Sequence, residues 1–157
     1  MKINAKQLAI SLAIPLAVGG LSALLTNSSM EHFESLNQPP LSPPSLLFPI
    51  VWTILFILMG ISTYLVYRAD SFRRDIRDAL SVYAVQLFMN FMWSIIFFNM
   101  GTYLFAFIWL VVLWILIIIM ARMFYTISKP AGLLQLPYIL WVLFAGYLNF
   151  GIYYLNR

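Results

Sequence analysis

Five long uncharged or nearly uncharged apolar runs dominate the chain, at about Gln7 to Leu25, Ser45 to Tyr67, Ala79 to Asn99, Tyr103 to Phe124 and Leu133 to Leu155. Each matches the roughly 20 residues that a helix needs to cross about 30 Å of hydrocarbon. In lipid the backbone must satisfy itself, which leaves helices or a closed barrel, and the strict alternation of a barrel is absent. The predicted fold is therefore all-α: one domain over residues 1–157, a bundle of five transmembrane helices. A hydrophobic content of 63% against a charged content of 9% excludes an ordinary soluble domain. Lys2 and Lys6 precede the first run, as in a signal peptide, but its apolar length and the spans that follow favour a retained helix.

The charges set an orientation. With the N-terminus inside, Lys2, Lys6, Arg68, Arg73, Arg74, Arg77, Arg122 and Lys129 lie on the inner side, and only Arg157 lies outside with the C-terminus. The expected location is the plasma membrane of a bacterium. The net charge of +4 does not indicate a nucleic-acid partner, because the basic residues flank apolar runs and do not cluster with stacking aromatics on a polar surface. No cysteine is present, which removes disulfides, thiolate metal sites and cysteine nucleophiles. The single histidine, His32, falls in the outer first loop, read as Thr26 to Pro44, and is expected to be solvated. No metal site is expected from this composition.

Pro39, Pro40, Pro43, Pro44 and Pro49 crowd the approach to the second run. Proline fixes φ, lacks an N–H and pushes its predecessor out of the helical region, so residues 37–44 are predicted to form a stiff extended lid that feeds into a span. Trp52 follows about two turns inside, with Phe48, Phe56, Gly60 and Thr63 at helical spacing. In the third run Tyr83, Gln86, Asn90, Trp93 and Phe97 share one face, beside Phe91. A second such face, in the fifth run, carries Tyr138, Trp141, Ala145, Leu148 and Asn149. A buried amide is costly without a partner, so both faces must point into the bundle.

At about 1.5 Å per residue, Trp52, Asn90, Trp93, Ala145 and Asn149 sit roughly 6 to 15 Å below the outer ends of their spans. They share a level, which predicts a ligand cavity in the outer half, roofed by the lid with Pro43 and Pro44. The competing interpretation makes the tryptophans interfacial anchors and the asparagines interhelical hydrogen-bond partners. The spans themselves contain no Asp, Glu, Lys or His, so no proton relay is visible, and with His32 in the outer loop neither is a serine–histidine–carboxylate set. In the first run Ala9, Ala13, Ala17 and Gly20 mark a small-residue face suited to bundle packing or to a homodimer seam. The fourth run, bulky all round, is expected to face lipid or a partner subunit and not the cavity.

Three segments together resemble the tryptophan-rich sensory protein / translocator protein family (TspO/MBR, also called peripheral benzodiazepine receptors). They are Ser35-Leu36 with Pro39, Pro43-Pro44, Pro49, Val51-Trp52, Met59-Gly60 and Tyr64-Leu65-Val66; Tyr83, Gln86-Leu87, Asn90, Trp93 and Phe97-Phe98; and Pro137, Trp141, Phe144-Ala145 and Leu148-Asn149. The resemblance implies a five-helix membrane protein, often homodimeric, that binds porphyrins such as protoporphyrin IX, and in many members isoquinoline-carboxamide or benzodiazepine-type drugs and sterols. It implies a pocket lined by Trp52, Asn90, Trp93, Trp141, Ala145 and Leu148. Some bacterial members degrade protoporphyrin in a light-dependent reaction, which would make Trp52 and Trp141 the photochemical residues here. No resident cofactor is implied; porphyrin is ligand or substrate.

Departures accompany the likeness. Leu41 and Leu46 stand where relatives often carry an aromatic, Ser94 and Ile95 replace expected prolines, and the fourth run lacks an acidic residue. Leu148, Tyr153 and Arg157 fit a loose sterol-recognition spacing. Three functions follow as alternatives: a porphyrin binder with light-driven degradation, a carrier of tetrapyrroles or other apolar ligands through lipid, and a regulatory scaffold acting through its basic inner loop.

Overall fold

The computed structural model describes residues 2–157. Its elements are α1 (Ala5–Thr26), a 3-10 turn (Asn27–Ser29), α2 (Met30–Ser35), α3 (Leu47–Tyr67), α4 (Arg73–Ser94) ending in a π-helical turn (Ile95–Asn99), α5 (Tyr103–Ile127), α6 (Lys129–Leu133) and α7 (Leu136–Leu155). Five helical segments are long and apolar enough to cross a membrane: Ala5–Ser35, Leu47–Tyr67, Arg73–Asn99, Tyr103–Ile127 and Lys129–Leu155. They correspond one to one with the five predicted spans, and the fold is a five-helix membrane bundle.

Three boundaries differ from the sequence expectation. The first loop does not begin at Thr26: helix continues to Ser35, because the first proline comes only at Pro39 and the 3-10 turn bridges the polar Asn27–Ser29 without breaking the rod. The loop between the second and third spans shrinks to residues 68–72, with α4 starting at Arg73. The lid is not uniformly extended, since a turn places Leu41 at φ 68° and Ser42 bonds back to the Pro39 carbonyl through both its N–H (3.3 Å) and its hydroxyl (2.7 Å).

Close backbone contact between α1 and α3 has a covalent origin. Pro15, inside α1, has no N–H and so leaves the Ser11 carbonyl without its helical donor. Against that gap lies Gly60 of α3: a Cβ there would come within 2.8 Å of both the Ser11 oxygen and the Leu12 Cα. One turn further out the relation reverses, and Gly19 of α1 makes room for the Phe56 ring. Asn4 completes the contact at the N-terminal end of α1, accepting from the Gln7 N–H (3.1 Å) as N-cap and donating its own N–H to the Tyr64 hydroxyl (2.9 Å).

The interior is apolar and centres on α5. Leu113, Ile117, Met120 and Phe124 are fully enclosed, and Trp109 and Trp114 donate their indole N–H groups to the carbonyls of Met89 (2.8 Å) and Ile139 (3.0 Å), tying α5 to α4 and α7. The other side of α5 is as expected, with Ile108, Val112, Ile115 and Ile119 turned outward. By contrast α1 is peripheral, and Ala9, Ala13, Ala17 and Gly20 are all exposed. The small-residue face thus packs against nothing in the bundle, which removes the intrabundle role expected of it.

Candidate functional site

At one end of the bundle α1, α2, α3, α4 and α7 surround a cavity of about 400 Å³, within the range of about 300–1,000 Å³ typical of small-molecule sites. Eight sequence-predicted residues line it together: Phe48, Trp52, Phe56, Asn90, Trp93, Ala145, Leu148 and Asn149. Pro43, Pro44, Phe91, Tyr138 and Trp141 do not line it. Phe91 faces a different groove, between α1 and α4. Trp141 lies with Val51, Ile54 and Leu55 in a separate shallow groove, its ring 6.0 Å from that of the cavity-lining Phe48.

The aromatic wall is layered. Trp52 stacks on Phe56 (5.7 Å between centroids, 29°) and leans on Trp93 (6.4 Å), which in turn stacks on Phe97 (5.3 Å, 27°). Such offset arrangements favour flat apolar ligands entering beside them. The amides hold this wall in place. Asn149 accepts from the Trp93 indole N–H (3.1 Å) and donates to the Tyr103 carbonyl (2.8 Å), while Asn90 donates to the Tyr138 hydroxyl (2.7 Å), which donates to Gln86 (2.7 Å). Tyr138 is therefore a support beneath the cavity, its ring edge-on to Trp52 at 6.2 Å.

The five tryptophans divide by what their indole N–H does. Those of Trp93, Trp109 and Trp114 bond to protein acceptors, and that of Trp141 is buried without a partner. Trp52 lines the cavity half-buried, and among the described residues its indole N–H has no protein acceptor.

Several lining residues were not foreseen. Gly19, Gly20, Ala23 and Thr26 of α1 form a wall, although the run of small residues that signals it reads equally as a packing seam. Phe97 and Phe98 reach the cavity through the π-helical turn, in which the Met100 N–H bonds to the Ile95 carbonyl (3.0 Å). Asn99 closes that turn against α1, accepting from Ser29 (2.7 Å) and donating to the Leu25 carbonyl (2.9 Å). The cavity has an exposed side between α1 and α3, where Leu16, Gly20, Ala23, Pro49 and Thr53 are both lining and exposed.

The roof is strapped to α7. Asn156 accepts from the Asn37 N–H (3.0 Å) and returns a bond to the Asn37 carbonyl (2.9 Å), and Tyr147 donates to the Pro40 carbonyl (2.7 Å). Buried Pro39 rests on Gly151, where a Cβ would meet its ring at 2.6 Å.

Fold and cavity together define an integral membrane protein, a five-helix bundle with a tryptophan-lined small-molecule-sized cavity under a proline-rich strap. The chain belongs to the TspO/MBR family, whose model matches residues 11–155. It is 39% identical to the tryptophan-rich protein TspO of Chlorobaculum tepidum over 95% of both chains. To the TspO of Archaeoglobus fulgidus it is 36% identical over 98% of this chain and 99% of that one. The translocator protein of Bos taurus is 29% identical over 92% of this chain and 86% of its own.

Proposed function

We propose that the cavity binds a porphyrin such as protoporphyrin IX, and that bound porphyrin is degraded in light. The observation that carries this is the half-buried Trp52 indole, stacked on Phe56 with its N–H uncommitted beside an aromatic wall. A flat macrocycle gains stacking area there, and an acceptor on its rim gains the Trp52 donor. At about 400 Å³ the cavity takes part of the ring, and the remainder extends through the exposed side between α1 and α3. The propionates then lie towards the outer rim, near Asn27 and Gln38, in a site without a charged lining residue. Excited porphyrin and dioxygen supply the photochemistry, so the lack of acid–base residues is no obstacle. Trp52 is the oxidisable side chain next to the ring, with Trp141 set back behind Phe48.

In the proposed orientation the N-terminus and the basic turns face the cytoplasm, the strap faces outward, and the membrane is a bacterial plasma membrane. The exposed Ala9, Ala13, Ala17 and Gly20 suit helix association in lipid, and a homodimer forms part of the proposal. Isoquinoline-carboxamide and sterol-like compounds are candidate competitors for the same cavity.

A titration of the detergent-purified protein with protoporphyrin IX, in the dark and then under illumination, tests the proposal. Saturable tryptophan quenching followed by light-dependent loss of the porphyrin band is expected, with the loss slowed in Trp52→Phe more than in Trp141→Phe. Binding without consumption would reduce the protein to a binder, and no binding would remove the porphyrin assignment.

Carriage is a second reading, favoured by the Asn90–Tyr138–Gln86 ladder that continues inward from the cavity. Porphyrin uptake into sealed proteoliposomes would support it, and its absence alongside intact binding would dismiss it.

A further inference from the structure

A second concavity, of about 730 Å³, runs between α1 and α4 on the side of the bundle that carries the basic turns. On α1 it extends from Gln7 to Leu21, about 21 Å at 1.5 Å per residue, more than the roughly 15 Å depth of one leaflet. Its walls are aliphatic and aromatic, with Tyr83 and Thr63 among the few polar side chains. A long, narrow, apolar trough of this kind suits an extended chain better than a flat ring.

The mouth of the trough is cationic. Arg68, at the end of α3, is held there by neutral partners: its guanidinium donates to the Gln7 side-chain oxygen (3.0 Å) and to the Lys2 carbonyl (3.2 Å). Arg77 and Arg73 stand one and two turns before Leu80 on the α4 face that lines the trough, and Lys6 stands beside Gln7. Helical spacing puts Asp75 and Asp78 on the other side of α4. Among the described residues the ion pairs are Arg74–Asp78 and Arg77–Asp78, at 3.8 and 3.6 Å between exposed groups, so Arg68 and Arg73 have no carboxylate partner.

We propose that this trough is a site for an anionic phospholipid, its phosphate at Arg68 and Arg73 with Lys6 and Arg77 nearby, and an acyl chain lying along α1 and α4. The occupant follows from the pairing of an apolar channel as long as a leaflet is deep with uncompensated guanidinium groups at its polar end. A zwitterionic lipid would fill the channel equally well but would leave those charges unbalanced. The site is separate from the porphyrin cavity and does not depend on that assignment.

The test uses the full chain in nanodiscs or detergent, with palmitoyl-oleoyl phosphatidylglycerol and phosphatidylcholine as the probes and retained lipid read by native mass spectrometry. At least a tenfold preference for phosphatidylglycerol is expected. Each arginine removed should lower it about fivefold, so that Arg68→Gln/Arg73→Gln abolishes it while protoporphyrin titration at the other cavity is unchanged. Because Arg68 also anchors the N-terminus, Arg73→Gln/Arg77→Gln, which alters only exposed side chains, is run beside it. Ala84→Trp, which fills the trough, should reduce retention of both lipids. Equal retention of the two lipids, a preference that survives the charge variants, or retention undiminished by Ala84→Trp would overturn the proposal. So would efficient disulfide crosslinking of Ala84→Cys in native membranes, a clean probe in a chain without cysteine, because a second copy would then occupy the trough.

Discussion

Leu41 is the only described non-glycine residue with positive φ, at 68°, and it is 84% exposed, so the turn gains no packing from its side chain. Left-handed backbone costs an L-residue roughly 1–2 kcal/mol, part of which glycine recovers despite its larger unfolded-state entropy. Leu41→Gly should therefore raise stability, by up to about 1 kcal/mol, in thermal unfolding monitored in detergent. Gly60 gives the opposite case. Its missing Cβ is what allows α3 to meet the Ser11 carbonyl that Pro15 leaves without its helical donor. Gly60→Val should separate α1 from α3 at a cost of roughly 1–3 kcal/mol, visible as a lowered melting temperature and as new protease sensitivity in α1.

Among the elements, the strap and the π-helical turn shape the cavity most and were read least fully from the chain. Proline chemistry correctly keeps residues 37–44 out of helix, but nothing local announces that Leu41 turns left-handed or that Asn37 pairs with Asn156, 119 residues away. The Asn156 clamp predicts a specific weakness: Asn156→Ala removes two strap bonds, each worth about 1 kcal/mol. Amide hydrogen exchange should then quicken across residues 36–46 while α5 stays protected. Helical periodicity gives Trp52, Asn90, Trp93, Ala145 and Asn149 their common face and depth, because interior faces in lipid must collect the amides. It does not separate Trp141 from Trp52, because both stand on bundle-facing stretches and only the packing of Phe48 between the cavity and Trp141 tells them apart. The walls supplied by α1 escape for another reason: glycine and alanine at helical spacing signal close approach without saying whether helix, ligand or partner approaches.

For the molecule as a whole, the five apolar runs fix the span count, and the basic residues gather on one side, as the positive-inside pattern requires of a bundle of this connectivity. The cavity and the trough proposed for lipid lie towards opposite ends of α1 and α4, one under the strap and one at the cationic turns. Between them the Asn90–Tyr138–Gln86 bonds hold α4 to α7. Replacing Tyr138 with Phe removes both bonds and leaves two buried amides short of a partner, each costing about 1–3 kcal/mol. Porphyrin affinity should fall with that change through a looser Trp52 seat, and saturation binding on folded Tyr138→Phe protein checks it.

The proposed occupancy of the cavity beneath the strap by porphyrin is tested most directly by a dark protoporphyrin IX titration of wild type against Ala145→Phe. Ala145 is a buried residue lining the same cavity as Trp52 and Trp93, so a phenyl ring there takes up space that the macrocycle needs. A loss of at least tenfold in affinity, with the melting temperature retained, is the result predicted. Unchanged affinity in the folded variant would contradict it and place the ligand elsewhere on the protein.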